Sequence, residues 1–91
     1  MYAAHKAALN SGLTQSMALE LAPFNIRVNA VLPAVVDTDM TAQIVEAMGD
    51  EHPLGRVGRP EEIAAVVLQL LSNQWQTGSL VTVDGGWLVR P

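Results

Sequence analysis

Two β-prone runs set far apart constrain this chain most. In the first, over residues 26–32, Ile26, Val28, Ala30 and Leu32 alternate with Arg27, Asn29 and Val31, and Pro33 ends the pattern. The second, Ser-Leu-Val-Thr-Val at 79–83, stops at an abrupt Asp-Gly-Gly turn over 84–86. A helix opening at Pro60-Glu61-Glu62 lies between them, so the runs cannot form a hairpin. Strands joined through a long helical connection pair in parallel, with a right-handed crossover. Parallel strands need cover on both faces and neighbours at both edges. Two alone leave much of that open, so the expected fold is α/β and incomplete without an N-terminal half that continues the sheet.

Helical periodicity fills most of the remaining chain. Leu9, Leu13, Met17 and Leu21 recur every fourth position beside a small stripe of Ala4, Ala8 and Gly12, which predicts one helix from residue 3 to about residue 22. Pro23 stops it. A weaker pattern through Met40, Ile44, Ala47 and Met48 predicts a helix over 38–48, with Asp37 and Thr38 as N-cap candidates and Gly49 closing it. In the helix beginning at Pro60, residues Ile63, Val66, Val67, Leu70 and Leu71 form the expected buried face. Residues 50–59 and 73–78 read as turns. The expected order is helix, strand, helix, helix, strand, tail.

Composition excludes several classes of function. With 49% hydrophobic and 15% charged residues, the chain reads as a core-rich globular piece. Its net charge is −4, and the scattered Lys6, Arg27, Arg56, Arg59 and Arg90 make no basic stripe, so nucleic acid is not an expected partner. Without cysteine, and with His5 and His52 far apart, neither a disulfide nor a metal site is expected. No apolar run nears the roughly 18 residues that cross a bilayer, and no signal-peptide order opens the chain. Cytoplasm, with no membrane partner, is the default expectation.

The chemistry-bearing pair is Tyr2 and Lys6, one helical turn apart in Tyr-Ala-Ala-His-Lys. A phenol ordinarily titrates near pH 10, so proton exchange near neutrality needs a neighbour that favours phenolate, and an ammonium one turn away is such a neighbour. His5 reads as a solvent-facing side chain. Asn29, polar inside a strand, is expected to bond to a neighbouring loop. The run Gly-Arg-Val-Gly-Arg at 55–59 reads as a turn rather than an anion cradle, because Glu61 and Glu62 occupy the first helical turn behind it.

In order along the chain come Tyr-x-x-x-Lys, Ala-Leu-Glu-Leu-Ala-Pro, Ile-Arg-Val-Asn-Ala-Val-Leu-Pro, Val-Asp-Thr-Asp-Met, Pro-Leu-Gly-Arg-Val-Gly-Arg-Pro-Glu-Glu-Ile-Ala and Val-Asp-Gly-Gly. Together they resemble the C-terminal part of classical short-chain dehydrogenases/reductases, NAD(P)-dependent oxidoreductases with a doubly wound Rossmann sheet. The resemblance implies that residues 1–91 are the C-terminal segment of such a domain. It implies that Tyr2 is the acid/base exchanging a proton with an alcohol or carbonyl substrate, that Lys6 binds the nicotinamide ribose and lowers the tyrosine pKa, and that Val36 and Thr38 contact the cofactor, NAD or NADP. Residues 39–54 would help select the substrate, and the intact protein would be a homo-oligomer. Two departures stand out: His5, where the family has a small residue, and Ala34, where it commonly has Gly. The Gly-rich dinucleotide loop and an upstream Asn and Ser are absent from these residues, so the chain is expected to be inactive alone. The alternative is a non-catalytic interaction piece using Leu9, Leu13 and Met17 and the tail 87–91.

Overall fold

A computed structural model describes residues 2–37 and 51–91, with side chains described for Leu9 and for residues 11–37 and 51–91. The helix expected over 38–48 lies outside these residues. Helix α1 runs Tyr2–Leu21 and passes into a 3-10 turn, Ala22–Phe24, that contains Pro23. Asn25, at φ 59°, is the only non-glycine with positive φ among the described residues; its N–H donates to Ala22 O at 2.9 Å and reverses the chain. Strand β1 follows at Ala30–Pro33, then helix α2 at Pro60–Ser72, strand β2 at Leu80–Val83 and a 3-10 turn at Trp87–Val89.

The strands pair in parallel, Ala30 opposite Leu80 through Pro33 opposite Val83, as the separation of the two runs requires. The first strand is shorter than expected, Ala30–Pro33 rather than 26–32. Upstream of Ala30, side-chain bonds interrupt the ladder beside one remaining backbone bond. Val28 N–H donates to Thr77 Oγ1 at 3.1 Å and Gly78 N–H to Val28 O at 2.7 Å. Asn29 donates from Nδ2 to Gln76 O and accepts at Oδ1 from Ser79 N–H, both at 3.0 Å. It therefore bonds to the neighbouring 73–79 loop, as a polar residue at that place must. The Arg27 guanidinium reaches the end of α2, donating to Leu70 O at 2.7 Å and Leu71 O at 3.0 Å, where a helix leaves its last carbonyls unsatisfied.

Burial departs from the periodicity on both helices. Among the described side chains of α1, Thr14 and Ala18 are buried, whereas Leu9 (75% exposed), Leu13 (64%) and Met17 face outward. The close approach is made at Ala18, whose Cβ lies 3.6 Å from where a Cβ on Gly78 would stand; Gly12, on the expected small stripe, has no such neighbour among the described residues. On α2 only Leu70 is buried, Ile63 and Val66 are half-buried, and Val67 and Leu71 are exposed rather than part of the core. Two strands about 4.8 Å apart make a strip narrower than a helix of about 10 Å diameter, so each helix rests on its central row alone. Among the described residues, no helix is long and apolar enough to cross a membrane.

Candidate active site

The carboxyl ends of β1 and β2 deliver two short segments to the same edge. From β1 the chain continues through Ala34 and Val35 to Val36, which forms a single parallel bridge with Gly58. Gly58 N–H donates to Val35 O and Asp37 N–H donates to Gly58 O, each at 2.9 Å. This clamp holds the half-buried 34–36 stretch in an extended course. Ala34 has no positive φ, so a methyl group there carries none of the left-handed strain that a required glycine would imply.

From β2 the chain turns at Asp84, whose Oδ1 accepts from Gly86 N–H and Oδ2 from Leu88 N–H, both at 2.9 Å. Gly85 and Gly86 sit at φ 61° and 91°, a region that side chains disfavour. Between the two segments lies a cleft of about 100 Å³ lined by Val35, Gly58, Ile63, Val83 and Asp84. Arg56 and Glu62 stand at its rim, joined by a two-pronged ion pair of 2.7 and 2.8 Å.

Glu62 also accepts from Arg59 N–H at 3.0 Å, while its own N–H donates to Arg59 O at 2.9 Å. The reciprocal pair starts α2. The Arg56 guanidinium first, then the Arg59 amide, lower the Glu62 pKa to about 2. The 55–59 run is therefore a turn that its own carboxylate closes, as the acidic first turn of α2 anticipates.

Of the expected site residues, Tyr2 and Lys6 both lie in α1, four positions apart in one uninterrupted helix; their side chains, and that of His5, lie outside those described. Val36 stands at the end of β1, and Thr38 lies outside the described residues. The sequence reading missed the Gly58 clamp and the partner of Glu62. It also missed the packing of His52, which is 2% exposed with its ring 4.8 Å from that of Trp87. The usable signal was the paired glycines at 85 and 86, which turn the tail back on itself. Among the described residues, no cluster of three or more His, Cys, Asp or Glu is placed to hold a metal.

A family model described as enoyl-(acyl carrier protein) reductase matches residues 1–88. The chain belongs to the short-chain dehydrogenase/reductase family. It is 48% identical over 87 residues to carbonyl reductase family member 4 of Danio rerio, covering 94% of this chain and 36% of that protein. It is 47% identical over 91 residues to the 3-oxoacyl-[acyl-carrier-protein] reductase FabG of Aquifex aeolicus, covering 93% and 36%. A putative 2-deoxy-D-gluconate 3-dehydrogenase from Agrobacterium tumefaciens, solved with bound NADP, superimposes with a TM-score of 0.74 at 35% identity, covering 88% of this chain and 36% of that one. This short-chain dehydrogenase/reductase chain thus spans little more than a third of the length of the relatives it matches. Its α/β fold, with parallel strands flanked by helices, is that of their Rossmann-type sheets.

The clamped, half-buried backbone over 34–37 stands beyond the carboxyl ends of the parallel strands, where ligands of Rossmann-type sheets gather. The start of α2 does not suit the phosphates, since Glu62 already occupies it with negative charge.

Proposed function

We propose that these residues form the proton-transferring part of an NAD(P)-dependent oxidoreductase that interconverts an alcohol and a carbonyl compound. The observation that carries this reading is the family match over residues 1–88, with Tyr2 and Lys6 one turn apart on the continuous helix α1. A bound nicotinamide cofactor supplies hydride to the carbonyl carbon in reduction and accepts it in oxidation. The Tyr2 phenol donates its proton to the carbonyl oxygen as that oxygen becomes an alcohol, and takes a proton back in the reverse direction. The Lys6 ammonium favours phenolate and holds the ribose hydroxyls. Val36 and Thr38 meet the nicotinamide end of the cofactor.

The names of the relatives favour carbonyl reduction, and the substrate class proposed is a small alcohol or carbonyl compound. Residues 1–91 act as the C-terminal segment of the catalytic domain. Because no Gly-rich strand-to-helix turn occurs in them, the 91 residues alone should turn over little substrate.

A chimera tests this reading, with residues 1–91 replacing the matching segment of the Aquifex aeolicus relative. The chimera should reduce carbonyl substrates with a nicotinamide cofactor. Tyr2→Phe should lower kcat at least about 100-fold with cofactor affinity unchanged, while Lys6→Met should weaken both. Retained turnover in Tyr2→Phe ends the proton-transfer assignment. A second reading, association without catalysis, is favoured by the exposed Leu9, Leu13 and Met17. It no longer includes Trp87, which packs against His52.

A further inference from the structure

We infer that the C-terminal turn Trp87–Val89, with Arg90, positions the 35–37 segment at the end of β1, acting through the intervening loop 52–58. The inference borrows from the reading above only the idea that this segment meets the cofactor.

The coupling runs through consecutive contacts. Arg90 sets its guanidinium carbon 3.4 Å from the centre of the Trp87 ring, a cation–π arrangement on a surface-accessible side chain. The Trp87 ring in turn lies against the buried His52 ring at 4.8 Å and 49°. The next step is backbone, where Leu54 N–H donates to Gly85 O at 3.0 Å. Glycine is required at 86, where φ is 91° and a Cβ would stand 2.8 Å from Pro53 Cγ, while a Cβ on Gly85 would lie in ordinary contact with His52 at 3.6 Å. The tail and the 52–56 stretch therefore lie backbone to backbone.

Downstream, Val57 is buried and Gly58 makes the two hydrogen bonds that clamp residues 35 and 37. The loop 52–58 is thus gripped at its start by the tail and grips the 35–37 segment at its end. Within such a short loop, a shift at His52 is transmitted to Gly58 unless the turn at His52 O and Gly55 N–H, 2.7 Å apart, absorbs it. Trp87 and Arg90 are positioning residues in this scheme. Loss of their contact should alter placement of the strand-end segment and leave the β1–β2 ladder in place.

Amide hydrogen exchange on the 91-residue chain tests the coupling without any cofactor. The reporters are Gly58 N–H and Asp37 N–H, and the internal reference is Ala30 N–H, which donates to Ser79 O in the sheet. Trp87→Ala should speed exchange at both reporters about 10-fold while Ala30 stays within about two-fold, with Trp87→Phe restoring most of the protection. Arg90→Gln, which removes a surface cation without a cavity, should give the same pattern at smaller amplitude. Equal acceleration at all three amides in Arg90→Gln, or no acceleration at the reporters in either variant, overturns the inference. In the chimera, Trp87→Ala should also weaken NADPH binding. Unchanged binding alongside localised exchange would sink the cofactor role of the 35–37 segment and leave the mechanical link standing.

Discussion

Asn29 ties two connections together with a single carboxamide, donating to Gln76 O and accepting from Ser79 N–H just before the strands begin to pair. Because both ends of the amide are engaged, the position discriminates between residues of the same shape. Asn29→Asp would set a carboxylate oxygen against the Gln76 carbonyl, exchanging an attraction for a repulsion and leaving that acceptor only the longer 3.3 Å bond from Arg27 Nη1. The expected cost is about 1–3 kcal/mol, read as a lower urea midpoint with the slope of the transition unchanged. A variant as stable as the parent would show that the bonds form without stabilising the fold. That Asn29 needs a partner was legible from a polar residue in an apolar run. Its particular partners were not, since they lie more than forty residues further along the chain.

Helix α2 shows how much an element can announce about itself. Pro60 opens it, Glu61 and Glu62 follow in its first turn, and Glu62 closes the cap while pairing with Arg56. The ion pair is largely exposed, so its contribution is modest and sensitive to salt. Its sign with pH follows from the lowered pKa of Glu62. The group favours the folded state fully above its ordinary value near 4.5, and that contribution disappears as pH falls through about 2. Thermal melts of the parent and of Glu62→Gln should therefore differ at pH 6 and converge by about pH 2, whereas a constant gap across that range would contradict the assignment. The cap was readable from residues 60–62 alone. The buried face was not: Leu70 is in the core but Leu71 is 67% exposed, because the narrow sheet selects one row from a helix that is apolar on several.

At the scale of the molecule, the outward-facing leucines carry the consequence. Leu9, Leu13 and Met17 lie on successive turns of α1 and Val67, Leu68 and Leu71 on α2, all exposed. Apolar surface arranged in rows promotes association. Sedimentation velocity should show the 91-residue chain self-associating as its concentration rises, and Leu13→Glu should shift it toward monomer without lowering its melting temperature, since this side chain is outside the core. A parent that stays monomeric at high concentration would remove association through α1 as a reading. The same exposed rows accord with a chain that spans about a third of the length of its relatives.

By itself the sequence determined the α/β class, the parallel pairing of the two β-prone runs, the bounds of α1 and the start of α2, because these depend on local propensity, capping and separation along the chain. The tertiary structure decided which rows of each helix are buried, where β1 begins, and that the tail folds onto the loop 52–58 to brace the segment carrying Val36. Periodicity says that a helix has an apolar side; only the width and position of what lies opposite determine how much of that side leaves water.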